Sequence, residues 1–326
     1  MPASTITKRE TARKFFVHDP ATLSASYVNW AERLQTEPGV DYGCILDKYI
    51  VPLHPGDLMA VVARPGHGKS SWMAYMARKT AHDIIKRKVK DEVVVYVTWE
   101  QTVEEVEAFF QSGSDYTSSD VAWGRVPMET VRRKAIQRPH LPIWVYGESK
   151  RHEGIRRPRM TVDYVYESIE SMREEHGKRP VLMCMDYIQI MPTDGAKEKL
   201  TQVDQAINDA KQLAMRMGLP IIVGVQARRE VDSYKNPIPT LSDAQWSSSI
   251  EQVADKQIAI WRPIKTHDPA EEPFIKIAGT EYTNDENLFV IKLLKQRFER
   301  GYGVWAVRFR PETLEVNDYD TEHIEF

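Results

Sequence analysis

Apolar and polar positions along the chain alternate between two rhythms. Residues 58–63, 92–100, 142–146, 181–188, 220–226, 257–262, 288–294 and 305–309 are short continuous runs rich in Val, Ile and aromatic residues, which predicts buried strands. Between them, residues 103–110, 162–175 and 200–217 carry apolar side chains at helical spacing, with Val162, Val165, Ile169 and Met172 as one inner stripe. Strand and helix alternating at this spacing predict an α/β domain, a twisted and mainly parallel sheet with helices on both faces. Ligands of such sheets sit at the carboxyl ends of the strands. Upstream, residues 1–21 are polar and without period, a flexible arm. Residues 24–35 form a helix with Tyr27, Trp30, Ala31 and Leu34 on one face, ended by Glu37-Pro38-Gly39. A lone helix of this length is marginal in water, so its stripe must dock, on its own domain or on a neighbouring subunit. Residues 263–287 interrupt the alternation and are expected to be a surface hairpin.

One junction carries specific chemistry. The run 58–63 stops at Arg64-Pro65, passes Gly66-His67-Gly68-Lys69-Ser70-Ser71, and resumes with Trp72, Met73 and Met76 at helical spacing. A phosphate loop has this layout. Small residues let backbone N–H groups converge on a polyphosphate, a Lys reaches its β/γ-phosphates, a hydroxyl takes Mg2+, and a helix N-terminus faces the anion. Residues 64–71 are therefore expected to bind a nucleotide triphosphate, with Ser70 also a Mg2+ ligand. Ala63 stands where the usual pattern has its first Gly; the competing reading is a Gly-rich turn that happens to hold a lysine.

Three further strand runs end on suitable groups. Hydrolysis of a γ-phosphate needs charge neutralisation, a cation ligand and an oriented water. Asp186, closing Met183-Cys184-Met185-Asp186, suits the second Mg2+ ligand; Glu100 suits the group that orients or activates water; Gln226 suits a γ-phosphate sensor. Each alone reads as a solvated residue at a strand end. Together, on one edge of one sheet, they read as a site.

Charge and cysteine content narrow the setting. A net charge of −3 does not advertise nucleic-acid binding, yet a ring can gather positive charge in its channel while its outer face stays acidic. Residues 125–159 hold ten Lys/Arg against three Asp/Glu, either a solvated face or a contact to a phosphate backbone or partner. Cys44 and Cys184 are far apart in sequence and read as reduced, buried thiols of a cytoplasmic protein. No run reaches about 18 apolar residues, so neither secretion nor membrane insertion is expected.

From residue 40 to about residue 316 the chain resembles the RecA-like P-loop NTPase domain of the hexameric DnaB-type replicative helicases. The resemblance runs in order through L-H-P-G-D-L, A-R-P-G-H-G-K, T-W-E-Q, R-E-E-H-G, M-D-Y-I-Q-I-M, G-L-P-I-I-V-G-V-Q, P-T-L-S-D, S-I-E-Q-V-A-D and K-Q-R. It includes the family's own phosphate loop, which also has Ala at the first position. The resemblance implies ATP and Mg2+ as cofactors, and a homo-oligomer, a hexamer, passing single-stranded DNA through a ring channel. It implies that Lys295 and Arg297 complete a neighbour's site, that Arg262 packs against the nucleotide base, and that residues 22–39 are a linker helix docking on the adjacent subunit. A helicase loader or primase is an implied partner. The family's N-terminal primase-binding domain is not expected before residues 1–21, which favours a phage or plasmid helicase.

Two departures touch the DNA-facing parts. Residues 244–252 read A-Q-W-S-S-S-I-E-Q where the family has L-R-E-S-G-S-I-E-Q, and the loop after Asp186 keeps only Lys197 and Lys199 as bases. DNA contacts then fall to the amides and hydroxyls of Ser247, Ser248 and Ser249, to stacking on Trp246, and to the charges of Lys197, Lys199, Arg228 and Arg229. The alternative function is a RecA-fold ATPase switch or DNA-assembly factor without unwinding activity. A non-catalytic paralogue is disfavoured by the presence of Lys69, Ser70, Glu100 and Asp186 together.

Overall fold

The computed structural model describes residues 18–319 except 38, 114, 156–158, 194–197, 245–248 and 298–301, and leaves out the side chains of residues 137, 139 and 199. The chain divides into two units, residues 1–39 and 40–326. In the first, α1 (Pro20–Thr36) begins earlier than the apolar stripe predicts. The Asp19 carboxylate accepts the N–H groups of Ala21 and Thr22 at 3.0 and 3.1 Å, and Pro20 occupies the first helical position, a strong start signal. None of its side chains is buried, and Leu23, Tyr27, Val28 and Trp30 stand exposed.

The second unit is built on a nine-stranded sheet. In chain order its elements are β1 (Leu58–Ala63), α2 (Lys69–Arg87), β2 (Glu92–Thr98), α3 (Val103–Gln111), α4 (Ser118–Ala122), α5 (Met128–Gln137), β3 (Ile143–Tyr146), α6 (Val162–His176), β4 (Arg179–Asp186), α7 (Lys199–Met217), β5 (Ile221–Gln226), α8 (Ser249–Val253), β6 (Lys256–Trp261), β7 (Phe274–Ile277), β8 (Thr280–Thr283), β9 (Leu288–Gln296), β10 (Gly303–Arg310) and β11 (Glu315–Asp318). The order across the sheet is β11-β10-β9-β6-β1-β5-β4-β2-β3. From β3 to β6 every pairing is parallel; β9, β10 and β11 add an antiparallel flank. Strands β7 and β8 pair only with each other, the hairpin expected within residues 263–287.

The sheet separates two cores, as period-two alternation requires. Met59, Val61 and Ala63 of β1 face Trp72, Met73 and Met76 of α2, while Leu58, Ala60 and Val62 face α6 and α7. Val162, Val165, Ile169 and Met172 are all buried in that second layer. Around α2, Trp72, Phe289 and Phe309 form an aromatic cluster with centroids 4.8 to 6.3 Å apart.

Several expectations need correction. β11 follows the strand read as the last, because its residues Glu315, Val316, Asn317 and Asp318 offer only one apolar position to a pattern reading. Helices α4 and α5 occupy a stretch without a periodic signal, α4 being fixed by a Thr117/Asp120 capping box. Cys184 is buried, but Cys44 is only partly so; both are free. Among the described residues no helix is long and apolar enough to cross a membrane.

Candidate functional site

At the carboxyl end of β1 the chain turns through residues 64–68 into α2. Gly68 sits at φ +90°, and a Cβ there would lie 2.7 Å from the Phe289 ring, so the turn requires glycine. No side chain caps α2, and its first N–H groups open on a cavity of about 390 Å3. Arg64, Pro65, Gly66, Gly68, Lys69, Ser70, Ser71, Glu100, Gln226 and Arg262 line it, so residues dispersed over much of the sequence meet at one edge of the sheet. Tyr187 lines it too, its ring 4.7 Å beneath the Lys69 ammonium, and sequence reasoning assigns it no role. Its sequence signals are its position directly after Asp186 and its place in M-D-Y-I-Q-I-M.

Asp186 is buried at the end of β4. Its Oδ1 is ion-paired with Lys69, and its Oδ2 accepts the Tyr96 hydroxyl at 3.2 Å. Trp99 N–H donates to the Asp186 carbonyl at 3.0 Å, tying the acid to the end of β2 just before Glu100. Tyr96 also escapes a sequence reading: it looks like core in an apolar run, and only the register pairing it beside Cys184 brings its hydroxyl to Asp186. Burial pushes its phenol well above the ordinary value, so it remains a donor. Burial and the nearby Asp186 charge raise the Glu100 carboxyl, with Lys69 opposing. Gly224 on β5 makes room for Lys69: a Cβ there would fall 2.9 Å from its Nζ.

His67 does not join the cavity. It is 4% exposed, and its Nδ1 accepts the Arg262 N–H at 3.1 Å behind the loop. Burial lowers its pKa to about 4, so it is a neutral acceptor. Arg262 also donates to the Glu286 carbonyl at 2.7 Å. Arg64 lines the cavity, but its guanidinium is engaged by Asp232 at 2.8 and 2.9 Å and by the Ala227 carbonyl at 3.1 Å.

Lys295 and Arg297 are not brought to this cavity. β6 pairs with β1 so that Ile260 lies beside Ala63 at the cavity end, and Lys256 beside Met59 at the other; Gln296 pairs with Lys256. The two bases therefore lie at the opposite end of the sheet, roughly 20 Å away for a strand rising about 3.3 Å per residue. Lys295 donates to the carbonyls of Glu251 and Gln252 in α8 at 2.6 and 3.2 Å; Arg297 pairs with Asp255 at 3.1 Å. Lys295 lies in β9, an interior strand, and Arg297 directly follows its end.

Of the expected DNA contacts, Lys197, Trp246, Ser247 and Ser248 lie outside the described residues, as does the Lys199 side chain; Ser249 opens α8. Arg228 and Arg229 are exposed beyond β5, where Arg228 is held by the Ser242 carbonyl and pairs with Asp243 at 3.6 Å. In the basic stretch, Arg133 and Lys134 pair with Asp115, Arg138 with Glu107, and Lys150 with Glu105.

Comparison with known proteins agrees with this geometry. Residues 39–313 match the model of the DnaB-like helicase C terminal domain. The chain belongs to this family. The replicative DNA helicase DnaB of Mycoplasma genitalium is 25% identical over 275 residues, covering 82% of this chain and 53% of the relative. That of Helicobacter pylori is 27% identical over 232 residues, covering 69% and 44%. The chain thus spans about half the length of the curated relatives it matches. In fold it is similar to a solved ATPase domain, with TM-score 0.69, 18% identity, and coverage of 93% of this chain and 100% of that one. It is likewise similar to a DnaB-like replicative helicase described with its interactions with primase, with TM-score 0.70, 18% identity, and coverage of 96% and 70%. The sheet is that of the RecA-like ATPase domain of DnaB-like helicases.

Proposed function

We propose that this DnaB-family chain is the motor of a ring-forming, ATP-hydrolysing translocase and helicase acting on single-stranded DNA in replication. The observation that supports the reading is that the phosphate-loop residues, Glu100 and Gln226 line one cavity at the carboxyl end of β1, while Lys295 and Arg297 lie at the other end of the sheet. The cavity end offers phosphate ligands and a water-orienting carboxylate. Lys295 and Arg297, a strand's length away, would act on another copy's cavity.

In this reading the N–H groups of the loop and Lys69 hold the β/γ-phosphates, Glu100 orients water, Gln226 contacts the γ-phosphate, and Arg262 flanks the base. Arg297 and Lys295 of a second copy neutralise charge in the transition state. Ser70 and Asp186 are hard oxygen donors, and the described residues contain no group of three or more His, Cys, Asp or Glu able to hold a metal. That donor set fits Mg2+ shared with a nucleotide's phosphates rather than caged by protein. Bound there, Mg2+ would neutralise phosphate charge. Residues 22–39 act as the linker helix whose exposed aromatic face docks on the adjacent subunit of a hexamer. A helicase loader or a primase is the further partner.

The test is fork unwinding with Mg-ATP by the wild type and by Lys69→Ala. Unwinding by the wild type alone is expected. ATP turnover by an assembled ring that opens no fork overturns the helicase assignment in favour of a RecA-fold switch.

A further inference from the structure

Strand β5 outruns its neighbour. β4 and β5 pair only from Met183 beside Ile221 to Met185 beside Val223, whereas β1 stays paired with β5 through Ala63 beside Gln226. The main chain of Gln226 therefore faces a gap on the β4 side. The side chain of Gln189, from the turn Ile188–Ile190 that follows β4, occupies it. Gln226 N–H donates to Gln189 Oε1 at 3.1 Å, and Gln189 Nε2 donates back to the Gln226 carbonyl at 3.2 Å. Gln189 is 4% exposed. A primary amide offers a donor and an acceptor in the arrangement of a peptide group, so this side chain continues the sheet ladder where the backbone cannot.

The residue it holds stands at a junction. The Gln226 side chain lines the cavity. The next residue, Ala227, bridges to Ala244, and Arg228 N–H donates to the Asp243 carbonyl at 2.8 Å, both at the head of the 244–252 segment. Gln189 itself lies just before the loop that leads to α7, so the amide pair joins the cavity to the entry of both segments expected to face DNA.

We propose that Gln189 is a positioning residue that couples the occupant of the cavity, through Gln226, to the loops after β4 and β5. This rests on the DNA-motor reading above. A displacement of Gln226 on engaging a γ-phosphate is passed through two hydrogen bonds to the turn that launches the β4 loop. Without the amide, nucleotide and DNA still bind, but neither responds to the other.

The experiment uses the full chain with ATP, a non-hydrolysable ATP analogue, ADP and a fluorescent oligo-dT, comparing the wild type with Gln189→Leu, Gln226→Ala and the double variant. Gln189→Leu is expected to keep basal ATP turnover and nucleotide affinity near wild type, while stimulation of turnover by oligo-dT falls roughly tenfold. The difference in oligo-dT affinity between analogue and ADP should shrink in parallel. The double variant should be no worse in coupling than Gln226→Ala, since both substitutions break one path; a merely structural glutamine would give additive losses. Gln189→Glu, nearly isosteric, repeats the test with the donor lost. Wild-type coupling in either Gln189 variant, or additive losses in the double variant, overturns the proposal. A wild type that ignores oligo-dT overturns the DNA-motor reading together with this one, a separate outcome.

Discussion

The two ends of the central sheet hold similar chemistry in opposite condition. At the cavity end, Asp186 has one oxygen on Lys69 and one on Tyr96, and the Lys69 ammonium remains on a cavity wall. At the far end, Asp255 accepts Leu58 N–H at 2.8 Å, Lys211 at 2.5 Å and Arg297 at 3.1 Å, and Lys256 pairs with Asp57 at 2.5 Å. Buried acid and base meet at both ends. The difference is saturation: the far acid takes three donors and so reads as structure, while the near one takes two and keeps polar groups open to a ligand. Arg297 alone escapes this division, half exposed on an otherwise closed network.

Substitutions at each end sharpen the contrast. The largest effect is expected for Arg297→Ala: turnover falls by about 10³-fold or more with nucleotide affinity near wild type, as for loss of a base acting in trans. Collapse of affinity alongside turnover, in a binding titration, would sink the trans role. Mixing Arg297→Ala with Lys69→Ala, each inactive alone, should restore part of the turnover, because each supplies the half that the other lacks.

Asp255→Ala comes next, with a stability loss on the order of 3 kcal/mol in denaturant unfolding, since it strands Lys211 and the Leu58 amide. A loss under about 1 kcal/mol would show that the far network is not the buttress its saturation implies.

A third effect is pH-dependent. Folded His67 has a pKa of about 4, against roughly 6.5 when exposed in the unfolded chain. Below pH 6.5 the unfolded chain takes up a proton that the folded one refuses, so stability is lost as pH falls from about 6.5 towards 4. His67→Phe should remove that loss, about 2 kcal/mol between pH 7 and 5, in paired unfolding curves. Identical acid sensitivity would mean that His67 is not the group involved.

The smallest effect is Tyr96→Phe, about 1.5 kcal/mol for a hydrogen bond lost to a buried carboxylate. It should raise the Mg2+ concentration needed for tight nucleotide binding while leaving metal-free binding alone. Equal changes with and without Mg2+ would assign Tyr96 to packing only.

What the sequence makes legible follows the range of the forces involved. The phosphate loop, the strand-end residues Glu100, Asp186 and Gln226, and the inner stripe of α6 are local patterns, and each is found where its pattern points. Tyr96, Tyr187 and Gln189 acquire their partners only through strand register and the exit angle of β4, which no short window encodes. The basic stretch shows the same limit in reverse. Residues 125–159 look unneutralised because their acids, Glu105, Glu107 and Asp115, precede the window and return to it through folding.

The length of β1 has a last consequence, for behaviour in solution. If each copy's cavity and its trans-acting bases sit a strand apart, a solitary chain carries two half-sites and no whole one. Specific activity should then depend on protein concentration, fading on dilution more steeply than the enzyme itself is diluted. Hydrolysis becomes a report on company: ATP is spared until enough copies have gathered to use it.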